Sequence, residues 1–383
     1  MDSILIRNGL VHDAVHEEPY MADVLVTDGK IKEIGTDIHA DDVKVIDAKC
    51  LNVYPGFVDA HSHLGLAGHG IGFEGTDYNE ASDVLTPQLR AIDSFNPLDP
   101  TIHEAAKAGV TCVGTGPGSA NPIGGMWIAV KTTGVCVDDM IVKDPVAMKC
   151  ALGENPKRCY RDRGNAARMT TAYNIRKMIL ETKDYMARKE AAKDDPLKKP
   201  ALNLKCEAMI PVLKKEIPLK VHAHQANDIL TAIRIAKEFD LRMTLEHVTE
   251  GHLIADKLAE NKQYPMAVGP TFSHASKFEL RNKSWTTPGI LSAKGCQVSI
   301  ITDAPFSLQD YLPLYAGLAV EAGMDKFEAL KAITIHPAMH LGIQDRVGSL
   351  EVGKDGDLVI FEGDPMEISS VCRYTVIDGT VIE

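Results

Sequence analysis

Four separated positions in this sequence offer a divalent cation the same kinds of donor: His61-Ser62-His63, the pair His222 and His224, His247, and Asp303. Each stands where a short apolar run ends, after Asn52 to Phe57, Pro218 to Val221, Arg242 to Leu245 and Gln297 to Ile301. Imidazole suits zinc, iron and nickel alike. An ion held by such groups lowers the pKa of water toward neutrality, which is the chemistry of hydrolysis. Side chains at i and i+2 of a strand share one face, so His61 and His63 can point at one ion. An isolated His-x-His carries little weight. Followed in chain order by two more strand-end histidine sites and a strand-end aspartate, it reads as part of one metal centre.

The elements that must position these groups are parallel strands whose C-terminal ends converge on the mouth of a barrel. The middle of the chain alternates strand and helix as such a sheet requires. Strands are expected at 57-62, 110-114, 126-131, 146-152, 219-224, 242-247, 265-269 and 297-303. Helical patterns intervene at 101-109, 165-192, 204-215, 227-239, 251-261, 311-323 and 325-334. Eight strands in about 290 residues fit a (β/α)8 barrel. A doubly wound sheet would instead gather its ligands at one crevice. Both ends of the chain read differently, as short alternating strands. Asp28-Gly29 and Asp378-Gly379 each supply a hairpin turn there. The fold expected is α/β, a distorted TIM barrel over 56-344. A small β-sandwich domain, composed of 1-55 plus 345-383, joins the two termini.

Composition narrows the function from another side. The chain has 383 residues and a formal net charge of -12, which argues against nucleic acid. Its eight cysteines are scattered without a CxxC, as in a reducing compartment, and not as a disulfide framework or zinc ribbon. The opening MDSILIRNGL lacks the basic and apolar regions of a signal peptide, and no stretch approaches the roughly 18 apolar residues of a membrane span. A cytoplasmic protein with a small-molecule substrate, no nucleic acid and no membrane partner is expected. The charged run Glu181 to Pro200 reads as a solvated helix and its exit loop.

The run Tyr54-Pro55-Gly56-Phe57-Val58-Asp59-Ala60-His61-Ser62-His63 resembles the signature of the amidohydrolase superfamily. The opening ILIRNG…VLVTDGKIKEIG and the closing AITIHPAMHLGIQDRVGSLEVGKDGDLVIFEGDP are similar to that superfamily's β-rich ends. Within it the chain most resembles the imidazolonepropionase-like, prolidase-like subgroup, which hydrolyses C–N bonds of amides, peptides and small rings. The resemblance implies homo-oligomerisation and a divalent metal, zinc foremost, as one or two ions, with iron, manganese and nickel as alternatives.

It also implies roles. His61, His63, His247 and Asp303 match the ligand positions; on the fifth strand either His222 or His224 is the ligand, with His222 preferred and His224 then left to face substrate, orient a neighbour or steady an oxyanion. Asp303 holds metal and takes the proton from water. On the fourth strand a bridging carboxylate comes from Glu154 or from a carbamylated Lys149; Glu154, at the strand end, is preferred. Asn121, in the glycine-rich segment Gly114 to Gly125, and His274, after the seventh strand, are candidate substrate contacts, as are His69, Glu74, Asp77, Ser276 and Lys277 in neighbouring loops. Gln225 stands where some deaminating relatives place an acid, and an amide cannot shuttle a proton. The expected activity is therefore hydrolysis of an amide, cyclic amide or peptide bond. The rival readings are an aminohydrolase acting on a heterocycle, a phosphoric-ester hydrolase, and a barrel kept as a non-catalytic scaffold.

Overall fold

The computed structural model of the chain describes residues 3–68, 72–193 and 195–382, and His69 lies outside them. Eight strands form a nearly closed barrel: Phe57–Ser62, Val110–Thr115, Ile123–Lys131, Ile141–Ala151, Leu219–Ala223, Met243–His247, Met266–Val268 and Val298–Ile300. They are numbered one to eight below. The segment after strand eight closes the ring onto strand one, with Asp303 N–H donating to His61 O at 3.0 Å and His63 N–H to Ala304 O at 2.8 Å.

Strands one, two and four to eight run parallel, and strand three runs antiparallel to both neighbours. This departs from the uniform alternation expected from the sequence. Only residues 116–122 separate strands two and three. A parallel return needs a crossover of about a dozen residues, so this short loop can make only a hairpin. Helices cover the outside, as in Ala226–Phe239, which buries Ile229, Ala232, Ile233, Ile235 and Ala236 along one face. Helix Pro100–Lys107 starts on Asp99, whose side chain accepts the Thr101 N–H, with proline at the first turn. Helices Thr286–Ala293 and Ile335–Leu341 were not expected; the first contains both proline and glycine, which weakens its pattern.

A second sheet takes strands from both ends of the chain, in the order 380–382, 371–377, 358–362, 52–55, 4–11, 20–27 and 30–35, with 44–47 beside 4–11. Asp28-Gly29 and Asp378-Gly379 turn with positive φ at both residues, 52° and 74° in the first and 47° and 76° in the second. That is the geometry of a tight hairpin matched to strand twist. The chain passes from this sheet into strand one at Gly56, where a Cβ would stand 2.1 Å from Thr111 Oγ1, so only glycine fits.

The reversal of strand three has a consequence for packing. It carries Lys131, the last residue of the strand, away from the mouth and against the second sheet. There its buried ammonium meets Asp357 at 2.7 Å, Asp355 at 2.9 Å and Asp378 at 3.0 Å. Burial alone would raise the Asp355 carboxyl, but Lys131 and the hydrogen bonds from Lys30 and Arg346 bring it below its ordinary value. Lys131→Met should therefore lower the unfolding free energy by about 3–5 kcal/mol, because the carboxylates stay buried without their cation. A carboxylate with a depressed pKa stabilises at neutral pH and loses that contribution as pH falls through its folded value. The gap between wild type and variant in urea unfolding should narrow in acid; an equal gap at pH 7 and pH 3 would count against this assignment.

Candidate metal centre

Strand one is buried along its whole length; His61 lies within it and His63 follows its last residue, and both rings turn toward Asp303. The donor atoms of His61, His247 and Asp303 lie within 4.8 Å of one another, and so do those of His222, His224 and His247. His63 Nε2 is 3.3 Å and His61 Nε2 3.6 Å from Asp303 Oδ1. Two ligands at ordinary zinc distances on a tetrahedral ion are separated by about 3.4 Å. The spacing therefore fits groups that share a cation.

Hydrogen-bond partners sort the histidines by tautomer. His63 Nδ1 lies 2.8 Å from Gly116 O and His247 Nδ1 2.8 Å from Gly269 O; a carbonyl only accepts, so both carry the proton on Nδ1 and turn an Nε2 lone pair inward. His61 Nδ1 donates to Glu246 Oε2 at 2.7 Å, with the same result. His222 is reversed: its Nε2 faces Glu279 Oε1 at 3.4 Å, while its buried Nδ1 has no partner among the described residues. His224 differs from all four. Its Nδ1 meets the Thr249 hydroxyl at 2.6 Å, which can donate or accept, and its Nε2 lies 3.7 Å from Glu279 Oε1. Burial drives His61, His222 and His224 well below the ordinary imidazole value and His247 to about 4, so these rings are neutral at pH 7.

On strand four the group beside the histidines is Lys149. Its Nζ is 3.2 Å from His61 Nε2 and 4.9 Å from the centre of the Trp127 ring, and burial lowers its pKa to about 7. Glu154, preferred from the sequence, is not brought there. Gly153, with φ of 87°, turns the chain out of the strand, and Glu154 opens the helix Glu154–Cys159. Its carboxylate accepts the Glu279 N–H at 3.2 Å, and its own N–H donates to Glu279 Oε2 at 2.9 Å.

Asn121 is also placed elsewhere. It is buried, and its amide nitrogen lies 3.1 Å from Glu80 O, 2.8 Å from Asp83 O and 2.7 Å from the Tyr160 hydroxyl, so it ties down the loop after strand one. His274, Ser276 and Lys277 do line the cavity of about 540 Å³ that opens above the histidines. Glu74 and Asp77 are not among its lining residues. Gln225 receives Arg168 on its side-chain oxygen. His252 pairs with Thr287 at 2.9 Å.

Several neighbours escaped the sequence reading. Glu246, one residue before His247, gathers His61, Lys220 at 2.8 Å and His340 at 2.8 Å in a fully buried cluster. Asp59, two residues before His61, accepts the His61 N–H, the Thr302 hydroxyl and Gln309, and so joins strand one to the segment carrying Asp303. Burial raises its pKa to about 7. A charged residue inside an apolar strand was the available signal for both. Tyr78 stacks on His63 at 4.7 Å from a long loop whose pattern gave no hint of it.

An Amidohydrolase family model matches residues 52–382. The crystal structure of an amidohydrolase from Thermotoga maritima MSB8 is similar with a TM-score of 0.95 and 41% identity, over 99% of each chain. The amidohydrolase tasK of Hapsidospora irregularis is 28% identical over 94% of this chain, which spans 40% of that protein's length. A dihydroorotase of Elusimicrobium minutum is 22% identical, over 94% of this chain and 88% of its own.

Proposed function

The chain belongs to the amidohydrolase family of hydrolases acting on C–N bonds, and on that premise we propose that it hydrolyses an amide, cyclic amide or peptide bond of a small molecule. The observation that carries the reading is the sorting of tautomers. His61, His63 and His247 each turn an Nε2 lone pair inward, His222 leaves its buried Nδ1 without a partner among the described residues, and His224, with Thr249 on its Nδ1, can carry its proton on the Nε2 that faces Glu279.

Those four histidines and Asp303 would hold the divalent metal, with zinc favoured by an N/O donor set. Lys149 takes the place assigned to Glu154, its amine joining carbon dioxide with loss of a proton to give a carbamate. When bound, the cation supplies Lewis acidity, lowering the pKa of water toward about 7 and polarising a carbonyl. Asp303 accepts the proton of the attacking water and returns it to the leaving nitrogen. His224 Nε2–H, held by Thr249, donates to the oxygen on which charge develops. Tyr78, stacked on His63, forms part of the cavity wall beside the substrate. His274 at the cavity wall is a substrate contact. With eight free thiols, a reducing cytoplasmic setting suits the chain.

Glu246 fixes the ring of His61, so Glu246→Gln should weaken zinc affinity about 10–100-fold. Competition against a chromophoric chelator measures this, and an unchanged Kd would remove Glu246 from that role. The proposed activity itself is tested with a lactam, a dipeptide and an N-acyl amino acid, each assayed for release of amine with and without chelator. Chelator-sensitive cleavage of one class supports the reading. Release of ammonia from an aromatic ring without ring opening would favour the aminohydrolase alternative.

A further inference from the structure

The cavity above the histidines is not evenly charged. Its wall draws on the helix after strand four and the loop after strand seven, and includes Asn155, Arg158, His274 and Lys277. Lys277 is already matched: its Nζ lies 2.7 Å from Glu279 Oε1 and 3.2 Å from Asn155 Oδ1. Asn155 is fixed in turn by Ser119 at 2.7 Å. Arg158 is different. It faces the cavity, is exposed, and has no ion pair and no side-chain hydrogen bond among the described residues. Among the described residues of the lining, Lys277 is the other cation and is satisfied, and Asp303 is the one acidic side chain. A guanidinium presents a planar fork that matches a carboxylate in two parallel bonds. The wall also carries Pro270, Leu280 and Phe306, which can cover an apolar side chain next to that charge.

We propose that Arg158 is a specificity residue that binds a carboxylate on the substrate. The chain would then act on a C–N compound bearing a free carboxylate: an N-acyl amino acid, a dipeptide or a carboxylated lactam. Neutral amides would be poor ligands. This rests on the hydrolytic reading of the same site, so its test is read without turnover.

Full-length protein is treated with phenylglyoxal, and modification of Arg158 is followed by peptide mass spectrometry. Arg161, 78% exposed, serves as the internal control. The probes are N-acetyl-L-leucine, glycyl-L-leucine and 5-oxo-L-proline, each compared with its own carboxamide. At least one carboxylate should slow modification of Arg158 by about ten-fold relative to its amide, the size expected of a charge-assisted pair, and leave Arg161 unaffected. Equal protection by acid and amide for all three pairs, or equal slowing at Arg161, overturns the proposal. For the protecting carboxylate, Arg158→Met should raise KM about ten-fold with little change in kcat, and Arg158→Lys should recover part of the loss. A fall in kcat alone would also overturn it. Protection without turnover of any probe contradicts the hydrolytic reading and leaves the carboxylate site standing; turnover without protection contradicts the carboxylate site alone.

Discussion

Asp303→Asn should lower turnover by about 10²–10⁴-fold while the protein stays folded, because an amide cannot accept the proton of water and pass it on. The substitution is chosen for its backbone. Asp303 has φ of 52°, in the left-handed region, where asparagine is among the few residues tolerated and alanine is not. The bond from its N–H to His61 O, which closes the barrel, belongs to the backbone and survives. Thermal unfolding should therefore change little, and circular dichroism should match wild type. Metal content is measured on the same sample, since Asp303 is both a proposed ligand and the proposed proton carrier. A variant that keeps its metal and loses turnover isolates the proton role. A variant with near-normal turnover removes Asp303 from the mechanism.

The second large effect is expected at Lys149. Its Nζ sits 3.2 Å from His61 Nε2 inside the barrel, where an unmodified ammonium would repel a cation. As a carbamate it becomes a ligand instead. Lys149→Ala should reduce a two-ion centre to one ion and depress turnover, and added acetate or propionate should restore part of both by occupying the vacated space. Lys149→Met keeps the apolar stem against Trp127, so it should fold better than the alanine variant and resist rescue. Truncation of a long buried side chain to alanine destabilises by about 2–5 kcal/mol, which makes the methionine variant the stability control. Unchanged metal content and wild-type rates in both variants would exclude Lys149 from the centre. An increase of one carbon dioxide in the intact mass under native conditions would support the carbamate directly.

How far the sequence could be read depended on the range of the interaction. Strand ends were legible because short apolar runs stop at His61, His222 and His247, whereas the eighth strand ends at Ile300 and Asp303 follows three residues beyond it. The hairpins at Asp28-Gly29 and Asp378-Gly379 were legible because positive φ is a local demand. The orientation of strand three could have been inferred from the seven residues before it, but the alternation of strand and helix elsewhere suggested a uniform pattern. Glu154 was misplaced because the decisive event is the turn at Gly153, which sends the next side chain toward Glu279, 125 residues away. Lys149 lies beside His61 because its long stem reaches the cluster from deeper in the barrel. Asn121 looked available in a glycine-rich loop, and its partners at Glu80, Asp83 and Tyr160 lie about forty residues from it in either direction. Glu246 pairs with His61 across 185 residues, a relation that no local pattern expresses.

The central claim is that His61, His63, His222, His247 and Asp303 hold a divalent cation on which hydrolysis depends. The most direct measurement is elemental mass spectrometry of gel-filtered protein, taken beside amide-cleavage rates before chelation, after it, and after zinc is restored. The account predicts one or two equivalents of divalent ion per chain, loss of cleavage on chelation and recovery with zinc. Cleavage at full rate by protein that carries no metal would contradict it.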